Sequence, residues 1–260
     1  MPQSFALTKW YMDLVADDGE AIIAYAADVS FSGMSLHYAS ILQHRGGQTR
    51  STSSLRKASP ALEGGTLTWT SRALRVRGSW HSECEGTRET LLLNESGAVD
   101  WNCVMPLARA EIELHDGRTV RGLGYAEELK MTIAPWELPI DELRWGRFTA
   151  EGTSVVWLDW RGSHSKKIIL RNGARASGMV EERSIELVDD DVRVVMEGGH
   201  VLREGSLGSS ALAAIADLVP ILPAKLVATT ERKMLAHATL EQPFAATVKG
   251  SAIAEVVKWG

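Results

Sequence analysis

The strongest constraint in this chain is a two-residue alternation of apolar and polar side chains, clearest in Thr66-Leu-Thr-Trp-Thr-Ser-Arg-Ala-Leu-Arg-Val-Arg-Gly-Ser-Trp80. Period two puts one set of side chains on each face of a strand, so such segments form half-buried sheet rather than helix. Turn chemistry divides the alternating runs into hairpins. Asp116-Gly117 follows Ala110–Leu114 and Asn172-Gly173 follows Lys167–Leu170, and both pairs tolerate positive φ. Asp189-Asp190-Asp191 and Gly250-Ser251 are read as two further turns. The pattern predicts an all-β chain of meandering antiparallel sheets.

Three segments depart from it. Ser209–Leu218 is alanine-rich with helical spacing, opens after Gly208 and stops near Pro220, which predicts one short helix near 209–218. Gln43–Gly65 is rich in Gly, Ser, Thr and Arg with little periodicity and is read as an exposed loop. Ala134-Pro-Trp-Glu-Leu-Pro139 is a rigid, proline-bounded connection near the middle of the chain, dividing it into domains 1–134 and 135–260. No internal repeat is evident.

Composition narrows the function. The charged share is 23%, the apolar share 45% and the formal net charge -5 with both signs dispersed, so no basic patch suits nucleic acid. There is no basic leader followed by an apolar run and no membrane-spanning stretch, so the reading is cytoplasmic without an anchor. Cys84 and Cys103 lack zinc spacing and are expected as unpaired thiols. No nucleotide loop, nucleophile elbow or zinc-protease signature occurs, so the chain is expected to need neither cofactor nor metal. Nine tryptophans stand against four phenylalanines and four tyrosines. Indole supplies broad apolar surface for β cores and for walls of ligand sites, and most of the nine are assigned to cores.

The candidate chemistry lies in a central cluster: Tyr125 and Glu127, then Trp136, then Trp145 and Arg147, then Trp157 and Asp159. At period two each of the strand pairs shares a face. If those faces converge, a cavity holds two carboxylates, an arginine and several rings. Burial and a neighbouring guanidinium act oppositely on a carboxyl group, which separates Glu127 and Asp159 into acid and base, with Arg147 beside them. Tyr125, Trp145, Trp157, Trp136, His37 and Tyr38 are assigned to substrate binding. The alternative is that Glu127, Arg147 and Asp159 form a satisfied buried ion-pair network that fixes sheet register. His81 and His164 are read as structural or exposed, and Glu255 as an exposed residue of a closing strand.

Trp101-Asn-Cys103-Val-Met-Pro106, Gly122-Leu-Gly-Tyr125-Ala-Glu127, Trp145-Gly-Arg147-Phe148 and Val156-Trp157-Leu-Asp159-Trp160 resemble the family of carotenoid 1,2-hydratases, tocopherol-cyclase-like proteins and lipocalin-like cyclases, Diels-Alderases included. The resemblance covers roughly residues 100 to 175. It implies two lipocalin-like (calycin) β domains side by side with an apolar pocket. It also implies a tyrosine followed two residues later by an acidic proton donor, which Tyr125 and Glu127 match with glutamate in place of aspartate. The expected function is cofactor-independent hydration, isomerisation or cyclisation of an apolar unsaturated small molecule; the alternative is a non-catalytic carrier of a hydrophobic ligand.

Overall fold

The structure, a computed structural model, describes residues 5–206 and 224–260. The helix expected near 209–218 lies outside the described residues. The remainder is almost entirely antiparallel sheet, in two compact units, Met1–Ala134 and Pro135–Gly260. These are the two lipocalin-like β domains that the sequence pattern and the resemblance imply. Among the described residues, helix is confined to a 3-10 turn at Pro135–Glu137 and one short α-helix, α1, at Ala224–Ala228.

The first unit holds β1 (Phe5–Val15), β2 (Ala21–Phe31), β3 (Met34–Arg45), β4 (Gln48–Ser54), β5 (Ala61–Glu63), β6 (Thr66–Ser71), β7 (Val76–Ser82), β8 (Thr87–Asn94), β9 (Gly97–Glu113) and β10 (Thr119–Met131). Their order across the sheet is β4-β3-β2-β1-β10-β9-β7-β6-β5, with β8 also paired to β9. Strands β3 and β6 stand six spacings apart in that order, ~29 Å if the sheet were flat. Yet Ala39 and Ile41 of β3 share one apolar cluster with Leu67 and Trp69 of β6, so the sheet curls round onto its own inner face. That face is occupied by Met12, Leu14, Trp69, Trp80 and Met105 among others. The indoles there are satisfied as well as buried: Trp80 donates Nε1 to the Asp13 carbonyl at 2.7 Å, and Trp69 donates to the Ala58 carbonyl at 2.8 Å.

The second unit repeats the topology. Its strands are β11 (Glu142–Ala150), β12 (Thr153–Arg161), β13 (Lys166–Arg171), β14 (Ala174–Ala176), β15 (Gly178–Val180), β16 (Ser184–Leu187), β17 (Val192–Ser206), β18 (Thr230–Glu241) and β19 (Val248–Lys258). They are ordered β14-β13-β12-β11-β19-β18-β17-β16-β15. In each unit the first strand pairs with the last, and Ile169 of β13 meets Ile185 of β16 in one core just as β3 meets β6. The repeat is topological, and no recurring sequence marks it.

Three turn expectations hold. Gly117 has φ 82°, Asn172 and Gly173 have φ 49° and 81°, and Asp191 has φ 51°. Gly250-Ser251 is not a turn but part of β19. A Cβ at Gly250 would come within 2.3 Å of the Thr149 carbonyl and 2.8 Å of the Phe148 ring, so this glycine permits a close strand approach instead. The stretch 43–65 is likewise no simple loop. Gly46 and Gly47, both at positive φ, turn β3 into β4, an edge strand whose polar sequence Gln-Thr-Arg-Ser-Thr-Ser carries no apolar period.

Candidate active site

Strand register assembles the site on the face of the first sheet opposite its apolar core. One row runs Ser40, Tyr25, Tyr11, Glu127, Cys103, Thr87 across β3, β2, β1, β10, β9 and β8. In β1 the polar members Lys9, Tyr11 and Asp13 alternate with Trp10, Met12 and Leu14, and Met12 and Leu14 face the core. Tyr125 lies beside Glu127 on this face, as does Tyr38 one row away. All four tyrosines of the chain therefore stand on the face that carries Glu127. Tyr11 is edge-on to Tyr25 at 5.3 Å between centroids and to Tyr125 at 6.0 Å.

Irregularity in β9 turns the neighbouring residues toward Glu127. Pro106 and Leu107 together oppose the single residue Tyr125, and Val104 is a further extra residue between Met105 and Cys103. Proline cannot donate to the ladder, so a bulge is the expected response to Pro106 inside a strand. The bulge at Val104 reverses the alternation: Met105 joins the core while Trp101 and Cys103 face outward beside Glu127.

The result is a pinned carboxyl group. Glu127 is 8% exposed, and its Oε2 accepts a hydrogen bond from the Tyr125 hydroxyl at 2.7 Å and another from the Trp101 indole at 2.6 Å. Two donors on one oxygen occupy its lone pairs, so a proton carried by this carboxyl group belongs on Oε1. Burial, and next the negative charge possible at Cys103 and Glu127, pushes the Tyr125 phenol well above its ordinary range, so it remains a donor. Burial also pushes the Cys103 thiol up, against a hydrogen bond with Tyr125 that acts the other way.

The other expected residues are distributed differently. His37 pairs through Nδ1 with Asp28 at 2.6 Å, half-exposed and on the opposite face from its neighbour Tyr38. Trp136 lies in the 3-10 turn that opens the second unit. Within that unit the two aromatic-charged pairs do not share a face. Arg147 opposes Val156 and Trp145 opposes Leu158, which puts them on one side of the sheet and Trp157 and Asp159 on the other. The expected cavity lined by all four is thus corrected, because each strand's own alternation leaves open which of its two faces is inward. Trp157 belongs to the second core, its indole lying over Gly146. Asp159 accepts from Arg161 Nε at 2.6 Å, a structural ion pair. Arg147 is wholly buried and donates to the Thr149 hydroxyl at 2.9 Å and the Ser251 carbonyl at 3.3 Å.

Glu255 is not exposed. It pairs at 2.9 Å with Lys233, itself 1% exposed and 5.3 Å from the centre of the Trp145 ring. Sequence reasoning missed Tyr11, Asp13 and Tyr25, although Lys9, Tyr11 and Asp13 already stood at alternate positions in an otherwise apolar run. Neither Cys84 nor Cys103 is joined in a disulfide, as expected. Among the described residues no three His, Cys, Asp or Glu side chains converge on a possible metal position, and no helix is long and apolar enough to cross a membrane. Open clefts of about 600 Å³ beside Cys84 and about 490 Å³ beside Lys167 contain none of the expected site residues.

Fold and site together define a two-domain lipocalin-like β protein with a buried, doubly hydrogen-bonded glutamate. Among solved structures the chain is similar to CghA with Sch210972, at 11% identity and a TM-score of 0.57, covering 97% of this chain and 88% of that one. A second CghA structure aligns at 10% identity and a TM-score of 0.56, over 97% and 88% of the two chains. A protein assigned as AttH from Nitrosomonas europaea aligns at 9% identity and 0.56, over 96% and 92%. At these identities the likeness is one of fold. No protein-family model and no curated protein sequence matches the chain.

Proposed function

We propose that this protein is a cofactor-independent enzyme that transfers a proton from Glu127 to an apolar, unsaturated small molecule, acting as a hydratase, isomerase or cyclase. The observation that carries the reading is the buried carboxyl group pinned through Oε2 by Tyr125 and Trp101, which assigns its proton to Oε1. Protonation of an alkene or carbonyl by Oε1 places positive charge on the substrate. The Tyr11, Tyr25 and Tyr125 rings on the same face favour such a charge. The cation, directly or after an internal double bond has attacked it to close a ring and move the charge, is quenched by water or by loss of a neighbouring proton, and the released proton restores Glu127. Asp159 and Arg147 drop out of this scheme, the first because Arg161 holds it and the second because it lies on the other side of its sheet from Asp159. Support for a small organic ligand comes from the shared fold, since one CghA structure contains Sch210972.

The test is mass spectrometry of small molecules that co-purify with the protein, followed by incubation of each with the intact chain and with Glu127→Gln. A molecule converted by the first and returned unchanged by the second is the expected result. One returned unchanged by both makes the protein a carrier.

A further inference from the structure

The row that carries Glu127 leads, on one side, to a buried hydroxyl. Ser40 of β3 faces Tyr25 of β2, Tyr25 faces Tyr11 of β1, and Tyr11 faces Glu127 of β10. Its neighbours Ala39 and Ile41 point into the apolar core, so the Ser40 side chain stands on the same face as the Glu127 carboxyl group. Ser40 is wholly buried, and its Oγ meets no hydrogen-bond partner among the described residues. One step further along the row, Ser53 of the edge strand β4 is exposed. A hydroxyl taken out of water without a partner weakens a fold, and buried polar atoms nearly always find one. An alanine at this position would carry no such cost.

We infer that Ser40 holds the oxygen-bearing end of an elongated substrate whose double bond lies at Glu127, so that the substrate is an unsaturated alcohol or ketone rather than a pure hydrocarbon. A serine hydroxyl both donates and accepts, which suits a hydroxyl or a carbonyl oxygen. Three strand spacings separate Ser40 from Glu127, about 14 Å along the sheet, and this sets the separation of the oxygen from the reacting carbon. Tyr25 and Tyr11 occupy the two positions between them, and their rings offer apolar surface to the middle of the molecule. The oxygen end then lies toward the exposed β4 edge and the alkene end toward the buried acid. The inference rests on the reading of Glu127 as the reacting acid, but its first tests need only stability and binding.

In the ligand-free protein Ser40→Ala is expected to leave the thermal midpoint unchanged or raised, because it deletes a hydroxyl that has no bond to lose. A clearly lowered midpoint means that the hydroxyl is already bonded within the fold, and overturns the inference. Farnesol and the hydrocarbon farnesene then serve as probes in equilibrium dialysis, since they share a carbon skeleton and only the first carries a terminal hydroxyl. The ratio of their affinities for the parent chain is expected to fall about tenfold in Ser40→Ala, the worth of one well-made hydrogen bond, and to stay the same in Ser53→Ala. A ratio that ignores Ser40→Ala, an equal fall in Ser53→Ala, or a parent chain that binds neither probe overturns the inference, as does a co-purified ligand that contains no oxygen. Conversion of that ligand by Glu127→Gln instead overturns the functional reading and leaves Ser40 as the anchor of a bound alcohol.

Discussion

The Tyr125 hydroxyl and the Glu127 carboxyl, two residues apart on one strand, are joined at 2.7 Å by a bond whose donor cannot readily ionise, because burial holds the phenol far above its ordinary range. Glu127→Gln keeps the volume and can still accept at its carbonyl, yet has no acidic proton. Turnover of the natural substrate is expected to fall about 10²- to 10⁴-fold, the usual contribution of a general acid, with an unchanged thermal midpoint. Steady-state kinetics beside a melting curve decides it; undiminished turnover removes Glu127 from the mechanism.

The raised thiol has a consequence for stability. An unfolded chain releases the Cys103 proton from about pH 8.5, whereas the folded chain retains it because burial disfavours the thiolate. Above that pH the unfolded state binds fewer protons, so stability falls as pH rises. The contribution is complete below about pH 8.5 and is lost toward the folded value at up to about 1.4 kcal/mol per pH unit. Tyr125 adds a second decline from about pH 10 for the same reason. Urea midpoints followed from about pH 7 to pH 9.5 should drop in the parent and drop less in Cys103→Ser, whose hydroxyl does not titrate there. Equal slopes in the two proteins contradict the burial argument.

Two glycines separate conformational need from spatial need. Gly117 has φ 82° with nothing near a potential Cβ, so Gly117→Ala meets only the left-handed backbone penalty, about 1 kcal/mol. At Gly250 a Cβ would stand 2.3 Å from the Thr149 carbonyl, and backbone held in a ladder cannot yield cheaply. Gly250→Ala is expected to cost about 3 kcal/mol. Denaturant unfolding of the two variants should rank them in that order; a milder effect at Gly250 would return it to the class of turn glycines.

The same pair shows what was legible in the sequence. The architecture was, because period two, Asp116-Gly117 and Asn172-Gly173 are local signals, and each strand's alternation correctly put Tyr125 with Glu127 and Trp145 with Arg147. Gly250-Ser251 was misread because a glycine that turns and a glycine that admits a close neighbour look identical along one strand. The faces of β11 and β12 were misjudged for a related reason. Alternation fixes relative phase within a strand, whereas the pairing of Arg147 with Val156 is a property of two strands. Tyr11 and Tyr25 escaped notice because they reach Glu127 through register across β2, β1 and β10, over more than a hundred residues of sequence for Tyr11. The bulge that turns Trp101 and Cys103 outward had one local sign, Pro106, whose effect on facing depends on where the partner strand keeps its count.

In the second unit the row Trp145, Glu255, Lys233 occupies the place that Tyr11, Glu127, Cys103 holds in the first: first strand, last strand and the strand beside it. There the carboxylate faces an ammonium at 2.9 Å rather than a thiol, and the ammonium also lies 5.3 Å from the Trp145 ring. Such a pair forfeits much of its attraction to desolvation, but removal of one member strands the other charge. Lys233→Met is therefore expected to destabilise the protein by about 3 to 5 kcal/mol. The double variant Lys233→Met with Glu255→Leu should recover most of that loss, because both charges are then gone and two apolar side chains of similar length fill the row. Equilibrium unfolding of the single and double variants measures both quantities. A double variant no more stable than Lys233→Met would mean that Glu255 is held chiefly by other groups, and that this row is not an ion-paired counterpart of the row that carries Glu127.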